Sequence, residues 1–530
     1  MKDFNRSGVM IDMSRNAVMN VGAVKKMIDI NARLGYDFLM LYTEDTYEIE
    51  GQPYFGHLRG RYTSEELKDI DSYAQKKGIE LIPCIQTLAH LGAIMKWPEY
   101  KDINDCADIL LAGDERVYAL IDSMFKTLSE NFKSRIANIG MDEAHFIGLG
   151  KYMQEHGIRN RLDILLEHLE KVSEIAKKYG FELLMWGDMF FRLANNGGYD
   201  GSVDSSVKSR IPDNVTLIYW DYYSKDKKHY DENIINHKAV DENVWFAGGL
   251  WTWTGFTPHN QASIENSIAA IESCREHGVK NIIMTMWGDD GGECSRFSAL
   301  PSMYAVSEFL KGNTDIKSIK SGFYKEFGIE WDAFILLDLP DTPNNENGRI
   351  NDPEKYMLYS DCFMGIADST VRNGDGKKYA DCAKKLEKCV DNKEFGFLFS
   401  TVKALCDVLE IKYELGVRTR KAYKENEKSQ LKKSVGDYDE VISRIELFYD
   451  EFERMWSIEN KPHGFDVQDI RIGGTLMRIK HCKKRLESYI NGEIDSIPEL
   501  EEPVLPYKGN EPTDINNFCN IVTANVMFFQ

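Results

Sequence analysis

Two adjacent carboxylates, Asp142 and Glu143, stand in the run Asn138-Ile139-Gly140-Met141-Asp142-Glu143-Ala144-His145. Such a pair can divide labour. One carboxyl keeps its proton and acts as general acid, while the other stays ionised and steadies positive charge. The pair follows a short apolar segment, Ile136 to Ile139, that reads as a buried strand. Neighbouring side chains of a strand face opposite ways. At the C-terminal end, where a loop begins, both can still lean over one site. Most adjacent acids are simply solvated, so the weight falls on what surrounds this pair.

The elements that must position it alternate in type. Strand patterns occupy 8–13, 37–43, 79–85, 136–140, 181–186, 214–220, 244–249 and 281–287. Helical patterns occupy 21–34, 63–77, 115–132, 161–179, 262–277 and 301–311, with weaker ones near 203–210 and 230–238. Eight strand–helix units point to an α/β fold, a (β/α)8 barrel. A doubly wound open sheet is the alternative, but no Gly-rich phosphate fingerprint follows the first strand. Asp45, His90, Asp188 and Asp289 fall at or just past strand C-termini, as do Trp186, Trp220, Tyr222, Trp251, Trp253 and Trp287. Barrels of this kind build their sites on that face. Aromatic walls beside carboxylates suit a sugar, whose C–H face is apolar and whose hydroxyls need polar partners.

Past residue 312 the texture changes to charged helical patterns at 378–390, 396–424, 428–458 and 467–492. The expected division is a barrel over 1–312 and a mainly α-helical domain over 313–530. Residues 338–353, rich in Pro, Asp and Asn, read as a loop near the junction. The segment after Pro506 reads as a loop ending in the apolar run Val526-Met527-Phe528-Phe529, which can dock on the body.

Composition narrows the partners. The 530 residues carry a net charge of −20, with 43% hydrophobic and 12% aromatic residues. That balance argues against nucleic acid and anionic membrane surfaces, and against strongly anionic substrates. It is compatible with a neutral sugar. No apolar run reaches membrane-spanning length, and no apolar stretch of a signal peptide follows Met1-Lys2-Asp3-Phe4-Asn5-Arg6. Ten cysteines are scattered without a CxxC pair, and Cys84 and Cys274 fall in core elements. A reduced cytoplasmic protein without a zinc site is the simplest expectation.

The segments SGVMIDMSRN, LMLYTEDTYEIEGQPYFG, RGRYT, IELIPCIQTLAHLG, NIGMDEAH, FAGGLWTW and MWGDDGGE occur in this order, each at a strand end. In that order they resemble glycoside hydrolase family 20, the β-N-acetylhexosaminidases, and most closely a short bacterial branch without an N-terminal accessory domain. The resemblance implies a retaining, exo-acting enzyme that needs no metal and no organic cofactor. It would release terminal β-linked GlcNAc or GalNAc from small oligosaccharides or glycosides, with the substrate's own 2-acetamido oxygen as nucleophile and an oxazolinium intermediate. Glu143 would be the general acid and then the base. Asp142 would orient the acetamido N–H and offset the positive charge. His90 would link the acid to a strand-2 carboxylate, for which Asp45 is the choice and Glu44 the alternative.

Trp186, Trp220, Trp253 and Trp287 would box the acetamido methyl and the ring. Tyr222, with Tyr223 as competitor, would donate to the acetamido oxygen. Arg6, Asp289 and Glu293 would bind outer hydroxyls. The sequence departs from the family pattern after strand 7, where Gly-Leu-Trp-Thr-Trp replaces Tyr-x-Asp. It departs again at the last strand, which ends Met-Trp-Gly-Asp-Asp, and at the first, where Ser7 displaces the arginine. A catalytically silent sugar-binding barrel and a barrel glycosidase with a protein nucleophile are the rivals. The helical domain would close the pocket, form a homodimer or only stabilise the barrel.

Overall fold

Eight parallel strands close on themselves in a computed structural model that describes residues 3–204, 206–341 and 352–506. In chain order they are β1 (Arg6–Asp12), β2 (Phe38–Tyr42), β3 (Glu80–Cys84) and β4 (Ile136–Asn138). β5 (Glu182–Trp186), β6 (Val215–Trp220), β7 (Trp245–Gly249) and β8 (Asn281–Met286) follow. Each strand pairs with its neighbours in sequence, and β1 pairs with both β2 and β8, which shuts the barrel. All eight expected strands are present, and the open-sheet alternative falls away.

Alternation decides what each strand buries. Met10, Met40, Ile82, Leu184, Ile218, Ala247 and Ile283 point inward and fill the barrel, while Val9, Ile11, Leu39 and Leu41 join the core under the helices. At the N-terminal end, Phe38 and Trp245 plug the barrel beneath Arg6, whose guanidinium lies 5.4 Å and 5.8 Å from the two rings. Gly8 makes room for that plug, because a Cβ there would meet Phe38 at 2.3 Å.

Helices α1 (Val21–Leu34), α2 (Ser64–Lys76), α3 (Glu115–Asn131), α4 (Arg161–Lys178), α5 (Lys227–Val240), α6 (Asn260–Glu276) and α7 (Leu300–Leu310) surround the strands. Thr63 and Glu66 form a reciprocal capping box at the start of α2. The weak helical pattern at 203–210 yields only a 3-10 turn, Lys208–Arg210. Gly197, Gly198 and Gly201 before it and Pro212 after it leave no uninterrupted stretch for a helix.

The chain then continues as α8 (Ile316–Phe327), which the sequence reading missed, α9 (Pro353–Tyr359), α10 (Asp375–Leu386), α11 (Gly396–Lys424), α12 (Lys428–Glu459) and α13 (Phe465–Ile490). Within the expected loop at 338–353, residues up to Asp341 belong to a 3-10 turn, Ile335–Asp341. Most of the rest of that loop, and the tail Val526 to Phe529, lie outside the described residues. Among the described residues, no helix is long and apolar enough to cross a membrane.

The helices are tied to the barrel by polar contacts as well as packing. Glu459, buried at the end of α12, accepts from Ser295 Oγ and, at 2.7 Å, from the Arg296 amide. Arg471 of α13 pairs with Glu293 at 2.8 Å and donates to the Asp290 carbonyl, both in the loop after β8. The side chains of Arg471 and Glu293 are almost fully buried, 2% and 1% exposed. Glu293 also pairs with buried Lys355, so removing Arg471 takes one of two cations from a buried cluster and leaves the Asp290 carbonyl without that donor. Arg471→Ala is therefore expected to destabilise the chain by about 2–4 kcal/mol, below the full cost of an uncompensated buried charge, read from urea unfolding. A change under about 1 kcal/mol would mean that the pair does not anchor the helical domain.

Candidate active site

Asp142 and Glu143 lie on a sharply turned loop after β4. Gly140, Met141 and Glu143 have φ of +73°, +68° and +51°. These left-handed residues bring two neighbouring carboxylates over one pocket, which a continued strand would not do. The turn is locked by Gln86, two residues past β3. Its Oε1 accepts from the Met141 amide at 3.1 Å. Its Nε2 donates to Asp142 Oδ1 at 2.7 Å and to the Tyr42 hydroxyl at 2.9 Å. Gly140 is required there, since a Cβ would fall 2.1 Å from Gln86 Oε1. The Glu143 amide donates to Asp188 Oδ2 at 3.1 Å.

His90 closes the arrangement. Its Nε2 stands 3.2 Å from Asp142 Oδ2 and 3.7 Å from Glu143 Oε2. Its own φ is +57°, and its amide donates to Asp108 Oδ2 at 2.9 Å. Burial alone would lower the imidazole, but the Asp142 charge overcomes this and raises His90 to about 9. Burial would raise Asp142 in turn, yet His90 and the Gln86 hydrogen bond hold it below the usual carboxylate range. Asp142 is thus a fixed anion. Glu143 is different, with a side chain 43% exposed at the mouth of the pocket.

Around the acids stand Trp186, Trp220, Tyr222, Tyr223, Trp253 and Trp287, with Arg15 and Asp289 at the edge. Trp287 Nε1 donates to the Tyr222 hydroxyl at 3.0 Å. Burial pushes the Tyr222 phenol well up, so it keeps its proton. Trp220 stacks on Tyr222 with centroids 5.4 Å apart, and Trp253 meets Tyr222 edge-on at 5.4 Å. Asp12, at the end of β1, accepts from the amides of Ser14 and Gly288, which fixes the turn carrying Arg15. Arg15 Nη1 then lies 3.4 Å from Asp289 Oδ1.

Residues 4–246 match the family profile described as "Glycosyl hydrolase family 20, catalytic domain", and residues 332–520 match "Glycoside Hydrolase 20C C-terminal domain". The chain belongs to glycoside hydrolase family 20. Hexosaminidase D of Bos taurus is 25% identical over 254 residues, 45% of this chain and 68% of that protein. Hexosaminidase D of Homo sapiens is 23% identical over 219 residues, 39% of this chain and 43% of that protein. The chain therefore spans less than half the length of the human relative. Among solved structures, the β-N-acetylhexosaminidase of Bacteroides fragilis NCTC 9343 is similar with a TM-score of 0.47 and 21% identity, over 61% of this chain and 69% of that one.

Within this family 20 barrel, nine of the residues singled out from sequence come together: Asp142, Glu143, His90, Tyr222, Trp186, Trp220, Trp253, Trp287 and Asp289. Three do not. Arg6 opens β1 at the opposite end of the barrel, paired with Glu80. Arg15, just past the other end of that strand, is the arginine at the pocket. Asp45 turns away to Arg59 at 3.3 Å, because Glu44 adopts φ +40°. Glu44, the alternative, faces the site and accepts from Arg15 Nε at 3.1 Å and from the Tyr42 hydroxyl at 3.0 Å. Arg15 Nη2 stands 3.3 Å from His90 Nδ1. Glu293 is buried between Lys355 and Arg471 in the contact with the helical domain.

Arg15, Gln86 and Asp108 were missed as site residues, and Asp188 was placed on the site face without a role. Arg15 and Gln86 sit inside the motif segments, a signal that position along the strand would have turned into a site assignment. Asp188 is fully buried, and burial followed by the Asp142 charge raises it to about 7.

The His90–Asp142 pair has a pH signature. His90 is raised from an ordinary value near 6.5 to about 9. Its stabilising contribution is therefore complete below about 6.5 and is lost as pH rises through about 9. In His90→Gln the cation that depresses Asp142 is gone, so the acidic limb of kcat/KM is expected to move to higher pH, and the alkaline loss of stability should shrink. Matched pH–rate and pH–unfolding curves for the two proteins test both. Superimposable curves would show that the pair does not titrate as a unit.

Proposed function

We propose that this family 20 glycoside hydrolase is an exo-acting, retaining β-N-acetylhexosaminidase. It acts on small oligosaccharides or glycosides bearing terminal β-linked GlcNAc or GalNAc. The observation that carries the reading is the unequal acid pair in one aromatic pocket. Asp142 is pinned as an anion by Gln86 and His90, and Glu143 stands half-exposed beside it.

The geometry supports the following division of roles. Glu143 at the mouth gives its proton to the departing oxygen and later takes one from water. Asp142 accepts the acetamido N–H and offsets the positive charge of the oxazolinium ion. Its charge is already in place before reaction, so no reorganisation is needed at that moment. Tyr222 already accepts from Trp287, which leaves its own O–H to donate to the acetamido oxygen and aim it at the anomeric carbon. The tryptophans enclose the methyl group and the ring. Asp289, held by Arg15, suits the outer hydroxyls. The nine described cysteines are free thiols, which supports work in the reducing cytoplasm on imported oligosaccharides.

Glu143→Gln keeps shape but cannot cycle a proton. Turnover of a natural disaccharide should fall by about a hundredfold or more, with less loss for substrates whose leaving groups are strongly acidic. An undiminished rate removes Glu143 from the acid role.

The second test separates this chemistry from a barrel glycosidase with a protein nucleophile. Chromogenic β-GlcNAc and β-GalNAc glycosides should be cleaved, while the 2-hydroxy β-glucoside should be nearly inert. The first-formed sugar should be the β anomer. Equal rates for the glucoside, or an α product, would overturn the reading.

A further inference from the structure

The loop after β7 carries Trp253 into the pocket and then leaves the barrel. Phe256, at its outer end, packs between Phe448 and Phe452 of α12, with ring centroids 5.5 Å from each. Behind that contact lie four ionisable side chains with almost no exposure: His259 at 3%, Asp341 at 0%, Asp352 at 1% and Glu354 at 0%. His259 Nε2 is 3.0 Å from Asp352 Oδ1 and 3.3 Å from Asp341 Oδ2. Ligand atoms from these three residues all lie within 4.8 Å of one another.

Glu354 joins them from the next turn. A Cβ on Gly255 would fall 2.4 Å from Glu354 Oε1 and 2.9 Å from Asp352 Oδ1, so the missing side chain leaves the space into which both carboxylates reach. The loop orients the acids with its own donors. Thr257 Oγ1 donates to Asp341 Oδ2 at 2.6 Å, Thr254 Oγ1 to Asp352 Oδ2, and the Phe256 amide to Glu354 Oε1 at 3.0 Å. Two buried oxygens remain with no donor, Asp341 Oδ1 and Glu354 Oε2. Three buried acids thus meet one imidazole. The Lys355 ammonium next in sequence is engaged by Glu293. An excess of buried negative charge costs several kcal/mol per ion unless something cationic offsets it.

We propose that His259, Asp341, Asp352 and Glu354 form a structural divalent-cation site that clamps the loop after β7 to the helical domain. One imidazole nitrogen with carboxylate oxygens is the donor set of a borderline ion such as Zn2+ or Mn2+, whereas Ca2+ and Mg2+ prefer oxygen alone. The ion replaces the His259 Nε2 proton and draws the four ligands together, to about 2.0–2.2 Å for zinc. The threonine hydroxyls and the Phe256 amide then hold the ligands from behind. The site is separate from the catalytic acids, and its role is to set the position of Trp253.

The test uses the full, tag-free chain. Elemental analysis of protein purified without added metal should find about one zinc or manganese per chain. Stripping with a chelator should lower Tm by at least about 3 °C, and ZnCl2 or MnCl2 alone should restore it. Asp352→Asn, close to isosteric, should lose both the bound metal and the response. If that variant does not fold, the stripped and reloaded wild-type protein answers the question by itself. Absence of a stoichiometric ion with no response to Zn2+ or Mn2+ overturns the proposal, and leaves a proton shared between Asp341 and Glu354 as the neutralising device. Full metal content in a folded Asp352→Asn also overturns it. The readout is metal content and Tm, so a failure here is distinct from a failure of the hydrolase reading.

Discussion

A single negative charge at the floor of an aromatic pocket is the constraint on which the rest of the site depends. Asp142 is buried, and an isolated carboxylate there would take up a proton. Gln86 and His90 prevent this from two directions. Both belong to the chain segment after β3, while Asp142 follows β4. The one register contact between those strands, Cys84 against Asn138, therefore decides whether the clamp forms. Two residues past that pairing, Gln86 meets Gly140, where only a hydrogen fits. Barrel register, one glycine and one glutamine together keep the charge in place.

The same face of the barrel is where the backbone is strained. Asn16, Glu44, His90, Met141, Glu143, Thr254 and Asp290 all have positive φ, and all lie in loops past strand C-termini. Each such residue costs of order 1 kcal/mol or more and persists only when its surroundings over-determine it. The surroundings here are rigid: a barrel plugged by Phe38 and Trp245 at its other end, and amides held by Asp12, Asp108 and Asp188. The strain aims side chains that regular backbone would point elsewhere. Glu44 and Asp45 illustrate this, since one left-handed residue sends the first to the site and the second to Arg59.

These contrasts explain how far the sequence could be read. Strands and helices were legible because apolar runs and helical periodicity recur with clear caps, as at Thr63 and Glu66. The acid pair and the tryptophans were legible because they follow such runs directly. Choosing between Glu44 and Asp45 required a φ angle. Choosing Arg15 over Arg6 required knowing that β1 starts at residue 6, which puts Arg6 at the closed end. Glu293 looked like a ring-binding acid because it follows the last strand, but its partners Arg471 and Lys355 come from far along the chain. The expectation of no zinc site drew on cysteine spacing, which does not register His259 with the acids 82 to 95 residues onward that the fold brings beside it.

The departures from the family pattern acquire a physical sense in the same contact. Gly-Leu-Trp-Thr-Trp and Met-Trp-Gly-Asp-Asp stand at the ends of β7 and β8, and these two loops touch the helical domain through Phe256 and through Asp290 and Glu293. Trp253 and Trp287 leave the barrel from the same loops and pack with Tyr222 in the pocket wall. Phe256 and Arg471 thus connect α12 and α13 to the loops that carry that wall. The helical domain supports the side facing β7 and β8 and also reaches the loop after β1 and the start of α2, where Asn16 donates to the Gly464 carbonyl and Lys461 pairs with Glu66. The pocket is therefore a property of both parts of the chain, although its catalytic acids come from one.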